Sequence, residues 1–493
     1  MENAILVLDC GATNVRAVAV DPEGNLIASY SLPSTSHPDP DFAGGLIWDV
    51  DEIWRNLVIC AKAVAGDLGK FRIAAVTLTT FGVDGAAMKK DGSLCHPVIS
   101  WQCSRTLPVM ETIGRYISPE KLSAISGLQP YHYNTISKLV WLKENRPEVI
   151  AGMDYYVLMP SIFLNKLSGE YVTDATMAGT TMLTDLNRRC FSEEILSSIG
   201  MNRNIFPPLV EPGTIVGKVT MKAAGELGIP AGIPVVATGH DTQFAVFGSG
   251  AGINQPVLSS GTWEILTARS PVSNLKIPPP SAGITIELDA IKGFVDIGMQ
   301  WVASGVLEWM GNLLFSDVLN DRNRYSTMIA EAEKVPPGSA GVNVLPELYE
   351  GGFVPSKGII SGLTKGATRA HIYRATLESL AFYSRSALQS LQSTGGFYPE
   401  FLWAVGGGTK NRLWNQIRAD VLQIPFRAIQ QSETTVLGAA MFAMTAVGMY
   451  TSANEAVQAI KNPYDTYFPG NKAVTYDRLF SDYNTQWLTR WHS

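Results

Sequence analysis

"AILVLDCGATNVRAVAVDPEGNLIASYSLP", residues 4 to 33, alternates β-rich runs with two clusters of turn residues, Cys10 to Asn14 and Asp21 to Asn25. Apolar and β-branched residues punctuated by Gly, Asn, Asp and Pro are strand-and-turn chemistry, so the stretch predicts a three-strand antiparallel meander. Its first turn carries more than structure requires. Gly11 and Ala12 leave backbone N–H groups uncovered by bulky side chains, free to point at phosphate oxygens, while Thr13 and Asn14 add neutral donors. Arg16 brings positive charge, and Asp9 at the strand end is a carboxylate that could hold Mg²⁺ through water. The same residues would also serve an ordinary hairpin.

The theme returns after residue 250. "QPVLSSGTWEILTARS", residues 255 to 270, repeats the order of strand, small-residue turn and strand, with Gly261 and Thr262 at the turn. The chain reads as two related halves, and two such turns would clamp a triphosphate. "LWAVGGGTKNRLWNQIRADVL", residues 402 to 422, adds a strand, the glycines Gly406, Gly407 and Gly408, and an amphipathic helix with Asn411 and Asn415 one turn apart. That order suits a nucleotide. It lacks both GxGxxG spacing and a Walker lysine, which speaks against a dehydrogenase and for a glycine shelf under adenine.

Composition sets the outer limits. A chain of 493 residues is long enough for two large domains. Net charge is −6, from 38 Lys and Arg against 44 Asp and Glu, without a basic run that would track a nucleic-acid backbone. Apolar runs are strand-sized, and the N-terminus shows no signal-peptide pattern, so the expectation is a cytoplasmic protein with neither membrane nor nucleic acid as partner. A homo-oligomer is compatible with this composition. Five cysteines without a CxxC pair read as reduced structural thiols.

"VVATGHDTQFAVFGSG", residues 235 to 250, places His240 and Asp241 straight after an apolar strand. Phosphoryl transfer is mostly positioning and charge stabilisation, so once phosphates are held, what remains is an acceptor for the nucleophile's proton. Asp241 suits that role, and it also suits the N-cap of the following helix. "TTFGVDGA" (79–86) offers Gly82 and Asp84, and "ISWQCSRT" (99–106) offers Trp101 and Arg105 in a run too polar for a core strand. A tryptophan face ringed by carboxylate and amide groups is the usual chemistry of a sugar pocket.

Two further stretches, "YNTISKLVWLKEN" (133–145) and "GIISGLTKGATRAHIYRATLE" (358–378), combine many constrained positions. Together with the turns above they resemble, over essentially the whole chain, the FGGY family of carbohydrate kinases in the actin-like ATPase superfamily. The resemblance implies an α/β fold of two ribonuclease-H-like domains flanking a deep cleft, residues 1–247 carrying the sugar site and residues 248–493 the adenosine site. It makes ATP and Mg²⁺ the cofactors and Asp9 the residue that positions the metal. Gly11, Ala12, Thr13, Asn14 and Arg16 correspond to the first phosphate loop, and Gly261 and Thr262 to the second. Gly406, Gly407, Gly408 and Asn411 fall at the adenosine site. Asp241 takes the general-base position, with Gly82, Asp84, Trp101, Arg105, His240, Thr242, Gln243 and Trp301 around the sugar.

Within the family, "LDCGATNVRAVAV", "GHDTQFA", "VLSSGTWEIL" and "GMQWVASGVLEW" are most similar to the branch that phosphorylates O1 of L-fuculose in L-fucose breakdown, and next to the L-rhamnulose branch. Ala12 suits these 6-deoxyketose kinases, where glycerol and xylulose kinases commonly carry Thr or Ser. The phosphate turns by themselves would equally serve an actin-like ATPase that controls a protein partner. The tryptophan-bearing polar segments and the His240–Asp241 pair favour a sugar.

Overall fold

The structure, a computed structural model, describes residues 1–318, 321, 323–347, 349–350, 354–431 and 433–485. The elements that position the site run, in the first stretch, β1 (Glu2–Cys10), β2 (Asn14–Val20), β3 (Leu26–Pro33), α1 (Val50–Gly66), β4 (Phe71–Thr80), α2 (Thr135–Asn145), α3 (Ala175–Gly179), β5 (Ile215–Lys218), β6 (Pro234–His240) and α4 (Asp241–Gly248). There follow β7 (Val257–Ser260), β8 (Trp263–Pro271), β9 (Thr285–Leu288), β10 (Phe294–Val302), α5 (Arg369–Gly395), β11 (Leu402–Val405), α6 (Arg412–Leu422), β12 (Phe426–Ile429), α7 (Thr434–Ala446) and β13 (Tyr464–Tyr467).

Packing groups these elements into two compact units. The first comprises Met1–Gly250, Ser270–Asp296 and Glu433–Lys461, and the second Ala251–Arg269, Ile297–Ser432 and Asn462–Ser493. Two segments from the later part of the chain, carrying β9 and α7, therefore pack with the first unit.

In the first unit the strand order is β5-β6-β4-β1-β2-β3. The expected meander is present, since β1, β2 and β3 pair antiparallel, while β4 and β6 join parallel to β1. Ala4 to Leu8 of β1 form an unbroken apolar run because both faces of the strand are covered. Leu6 and Leu8 belong to a core with Trp54, Leu57 and Ala61 of α1, whereas Ile5 and Val7 belong to a core with Phe244 of α4 and Val436 and Ala440 of α7. In the second unit the order is β10-β8-β7-β11-β12-β13. Its pairings follow the same scheme, with β7 antiparallel to β8, then β7, β11 and β12 parallel and β13 antiparallel at the end.

Helices α4 and α7 approach through glycines. A Cβ at Gly438 would run into the Phe244 carbonyl, and one at Gly248 into the Thr434 carbonyl. Both obstacles are helix backbone, which cannot swing aside as a side chain could. Gly438→Ala is therefore expected to cost about 1–3 kcal/mol of stability through overpacking. The measurement is a thermal melt, and an unchanged midpoint would show that the helices can separate at no cost. All five cysteines are free thiols. Among the described residues no helix is long and apolar enough to cross a membrane.

Candidate active site

Three loops of the first unit leave the same edge of its sheet. β1, β4 and β6 are parallel, with Cys10 and His240 both paired to Thr80, so Gly11, Phe81 and Asp241 all begin beyond their carboxyl ends. That edge is where open α/β sheets bind ligands.

The first loop is the turn between β1 and β2. Gly11 donates its N–H to Asn14 O at 2.9 Å, and a Cβ on Gly11 would sit 2.8 Å from that oxygen, so glycine is needed there. Thr13 and Asn14 are exposed at the tip. The antiparallel register sets Asp9 opposite Arg16, and Arg16 Nε donates to Asp9 Oδ2 at 2.6 Å. Glu433, at the start of α7, pairs with the same guanidinium. Arg16 is thus held between two carboxylates, a constraint that the sequence could not disclose because Glu433 arrives from the far end of the chain. Burial, with the charges of Asp241 and Glu433 adding to it and Arg16 opposing it, pushes the Asp9 carboxyl up to about 6.

Oxygen donors and an excess of negative charge over Arg16 suit a hard cation. Among the described residues no three His, Cys, Asp or Glu side chains converge as a metal cage.

The second loop, Gly82 to Asp84, is strained. Val83 has φ +64°, unusual for a β-branched residue. Three bonds hold it there: its N–H donates to Thr180 Oγ1 at 2.9 Å, and its carbonyl accepts from Thr135 Oγ1 at 2.7 Å and Lys138 Nζ at 3.1 Å. Asp84 is fully buried, and its Oδ2 accepts from Trp48 Nε1 at 2.6 Å and from the Trp101 backbone N–H at 3.0 Å. Its Oδ1 pairs with Lys138 of α2, itself buried. Burial pushes Asp84 up and Lys138 down, and each charge counters the shift of the other. Lys138 was legible as part of a packing helix, but its salt bridge under the loop was not. Arg105 is buried against Asp39, 2.5 Å away, and lies over the Phe42 and Trp141 rings, so its guanidinium is engaged within the fold.

The third loop is the junction of β6 and α4. His240, with no side-chain capping bond, holds the N-cap position, and Asp241 is the first helical residue. The expected N-cap role for Asp241 is corrected by one position, because His240 still has extended backbone. Thr242 donates to Asp241 Oδ1 through its N–H at 2.7 Å and its hydroxyl at 3.3 Å. His240 Nε2 lies 3.3 Å from that same oxygen. Gly82 faces this ring, since a Cβ there would stand 2.9 Å from His240 Nε2. The His240 N–H donates to Thr176 Oγ1 at 2.9 Å, and Asp174 beneath Gly239 holds Thr176 in turn. Gln243 turns its amide to Glu287 of β9, a residue that sequence reasoning missed. Burial raises the Asp241 carboxyl above its ordinary value, with His240 opposing.

The remaining expected residues belong to the second unit. Gly261 donates to Trp263 O at 3.0 Å, and the Gly261 and Thr262 carbonyls accept from Ser304 at 3.2 Å and Ala303 at 3.0 Å. Gly406 (φ +93°) and Gly408 lie against Ser260, where a Cβ on either would collide, while Gly407 has open space around it. Asn411 caps α6 by accepting from the Trp414 N–H at 3.1 Å, and Asn415 donates to Thr409 O at 2.7 Å. The second turn, the glycines and the helix start are therefore one cluster. Trp301 is buried in it, donating to Glu264 Oε2 at 3.0 Å, with Ser260 Oγ and Arg418 on Oε1.

Residues 4–248 match the N-terminal domain of the FGGY family of carbohydrate kinases, and residues 257–447 its C-terminal domain. The chain is 42% identical to the L-fuculokinase of Salmonella typhi over 468 residues, covering 95% of this chain and 98% of that protein. It is 43% identical to the L-fuculokinase of Escherichia coli K12 over the same length and coverage. The crystal structure of xylulose kinase from Rhodospirillum rubrum superposes with a TM-score of 0.90 at 23% identity, covering 99% of this chain and 98% of that one. The fold is the two-domain α/β fold of these sugar kinases, and with both domains matched the chain belongs to the FGGY family of carbohydrate kinases.

Proposed function

We propose that this chain transfers the γ-phosphoryl group of ATP to the O1 hydroxyl of L-fuculose, giving L-fuculose 1-phosphate and ADP. The observation that carries the chemistry is the setting of Asp241. Its Oδ1 receives Thr242 and faces His240, while none of the described contacts uses Oδ2, at the sheet edge where ligands bind. Oδ2 accepts the O1 proton as O1 bonds to the γ-phosphorus and the bond to the β,γ-bridging oxygen breaks, its electron pair leaving with ADP. The sugar itself is inferred from the relatives named L-fuculokinase and from Ala12.

The turn Gly11 to Asn14 and the cluster of Gly261, Thr262, Gly406 to Gly408 and Asn411 form the ATP side: Gly11 and Gly261 spend their own N–H groups closing their turns on Asn14 O and Trp263 O, leaving the Ala12–Thr13 tip and the start of α6 for the nucleotide. Magnesium held through water at Asp9 would offset phosphate charge. Gly82, Trp101, His240 and Thr242 frame the sugar, with Asp84, Arg105 and Gln243 holding that frame from within the fold, and Trp301 bracing the second turn. Residues 1–247 thus carry the base and sugar frame and residues 248–493 the adenosine site. Absence of a transmembrane-length helix among the described residues suits a cytoplasmic catabolic enzyme.

The test is ADP release with Mg-ATP against L-fuculose, L-rhamnulose, D-ribulose, D-xylulose and glycerol. A misplaced hydroxyl leaves a buried partner unpaired, so L-fuculose is expected to lead in kcat/KM by about tenfold or more. If L-rhamnulose leads, the sugar assignment fails while the base stands. If no sugar stimulates release, an ATPase governed by a protein partner replaces the kinase reading.

A further inference from the structure

Glu287 lies outside every motif of the first unit's active-site loops, yet its side chain ends among them. β9 reads Thr-Ile-Glu-Leu, with Ile286 and Leu288 buried and Thr285 and Glu287 alternating to the other face. Its backbone is gripped on both sides. The Ile286 N–H donates to Gly127 O at 2.8 Å, Gln129 Nε2 donates to Ile284 O at 2.8 Å, and Arg189 Nη2 donates to Asp289 O at 2.7 Å. Gly127 and Gly179 are the close approaches, since a Cβ at either would meet the backbone of Ile286 or Leu288.

The Glu287 carboxylate meets His240. Glu287 Oε2 lies 3.4 Å from His240 Nδ1, and Asp241 Oδ1 lies 3.3 Å from His240 Nε2. Gln243 holds Glu287 from the next turn of α4. We propose that Glu287 is a positioning residue for the phosphoryl-transfer base: by holding Nδ1 of His240 it keeps Nε2 on Oδ1 of Asp241 and leaves Oδ2 of Asp241 to receive the sugar proton.

The chemistry of the ring supports the arrangement. A neutral imidazole has one N–H and one lone pair, and between two carboxylates the lone pair would face an anion. Only the imidazolium carries an N–H toward each carboxylate, both contacts being ion pairs at 3.3 and 3.4 Å. Burial works against that charge, but Glu287 and Asp241 outweigh it and hold His240 above its ordinary pKa. Of the other carboxylates nearby, Asp84 is paired with Lys138 and Asp9 with Arg16, which Glu433 also holds, while Asp174 has no cationic partner among the described residues and spends one oxygen on Thr176. Since the folded pKa is raised, the imidazolium persists to higher pH than that of an unperturbed histidine and is lost as pH climbs through the folded value.

The inference rests on Asp241 being the base, and the experiment separates the two. The whole protein and its Glu287→Gln, Glu287→Asp, His240→Asn and Asp241→Asn variants are compared. The protein has six histidines, so the His240 imidazole resonance is assigned as the one missing from His240→Asn. Glu287→Gln is expected to move that resonance's titration to lower pH and to lower kcat on L-fuculose roughly tenfold with KM for ATP unchanged. Glu287→Asp, which keeps the charge, recovers part of both effects, and in the His240→Asn background Glu287→Gln changes nothing further. An unmoved titration, or a Glu287→Gln loss just as large without His240, overturns the proposal. The titration is read in the resting protein, so an active Asp241→Asn together with a lowered histidine titration would remove the base assignment and with it the proposed role, leaving a structural contact.

Discussion

Asp241→Asn is expected to lower kcat by about 10²–10⁴, the range a positioned general base contributes. The substitution is nearly isosteric. An asparagine carbonyl oxygen can still accept from the Thr242 N–H, now 2.7 Å from Oδ1, and α4 still begins at the same residue. What is lost is basicity: an amide cannot hold the O1 proton at neutral pH, so O1 must attack as a neutral alcohol. L-Fuculose binding, measured by calorimetry, is expected to persist, because the frame of Gly82, Trp101 and Thr242 is untouched. Near-normal turnover in this variant would remove Asp241 as the base, whereas loss of sugar binding with retained turnover at saturation would recast it as a binding group.

The largest loss of stability is expected from Lys138→Met. The ammonium and the Asp84 carboxylate are 1% and 0% exposed. Removing one member of a buried ion pair leaves the other uncompensated, at a cost of about 3–5 kcal/mol. The consequence reaches the active site, because Lys138 also donates to the Val83 carbonyl at 3.1 Å, one of three bonds that hold the strained residue between Gly82 and Asp84. A lower melting temperature and loss of turnover should therefore appear together. The double variant Asp84→Asn with Lys138→Met is expected to melt above the single one, since neither member then carries an unpaired buried charge. If Lys138→Met melts like the parent, the pair is not what secures the loop.

Much of the site was readable because it is local. The turn at Gly11 and the step from strand to helix at His240 and Asp241 complete their backbone geometry within a few residues, and turn chemistry or hydrophobic period reports such patterns, whereas the glycines before α6 stand out in the sequence but owe their close packing to Ser260. Lys138, Glu287 and Glu433 were not readable as site residues. Lys138 stands 54 residues from Asp84, and Glu433 reaches Arg16 from another strand-and-helix half of the chain. Periodicity says which face of a helix or strand is apolar, but not which polar side chain on another element it will meet.

The amino-acid sequence by itself determined the two repeated strand-turn-strand halves, the glycine-bearing turns between their strands, the acid after β6 and the family they resemble. The tertiary structure decided which charges neutralise one another. Only the parallel register of β1, β4 and β6 brings Gly11, Asp84 and Asp241 to one sheet edge, and only the return of β9 and α7 to the first unit brings Glu287 to His240 and Glu433 to Arg16. The reason is energetic: a charge removed from water must find its partner in space, and that partner is set by how distant segments pack rather than by what lies beside it in the chain.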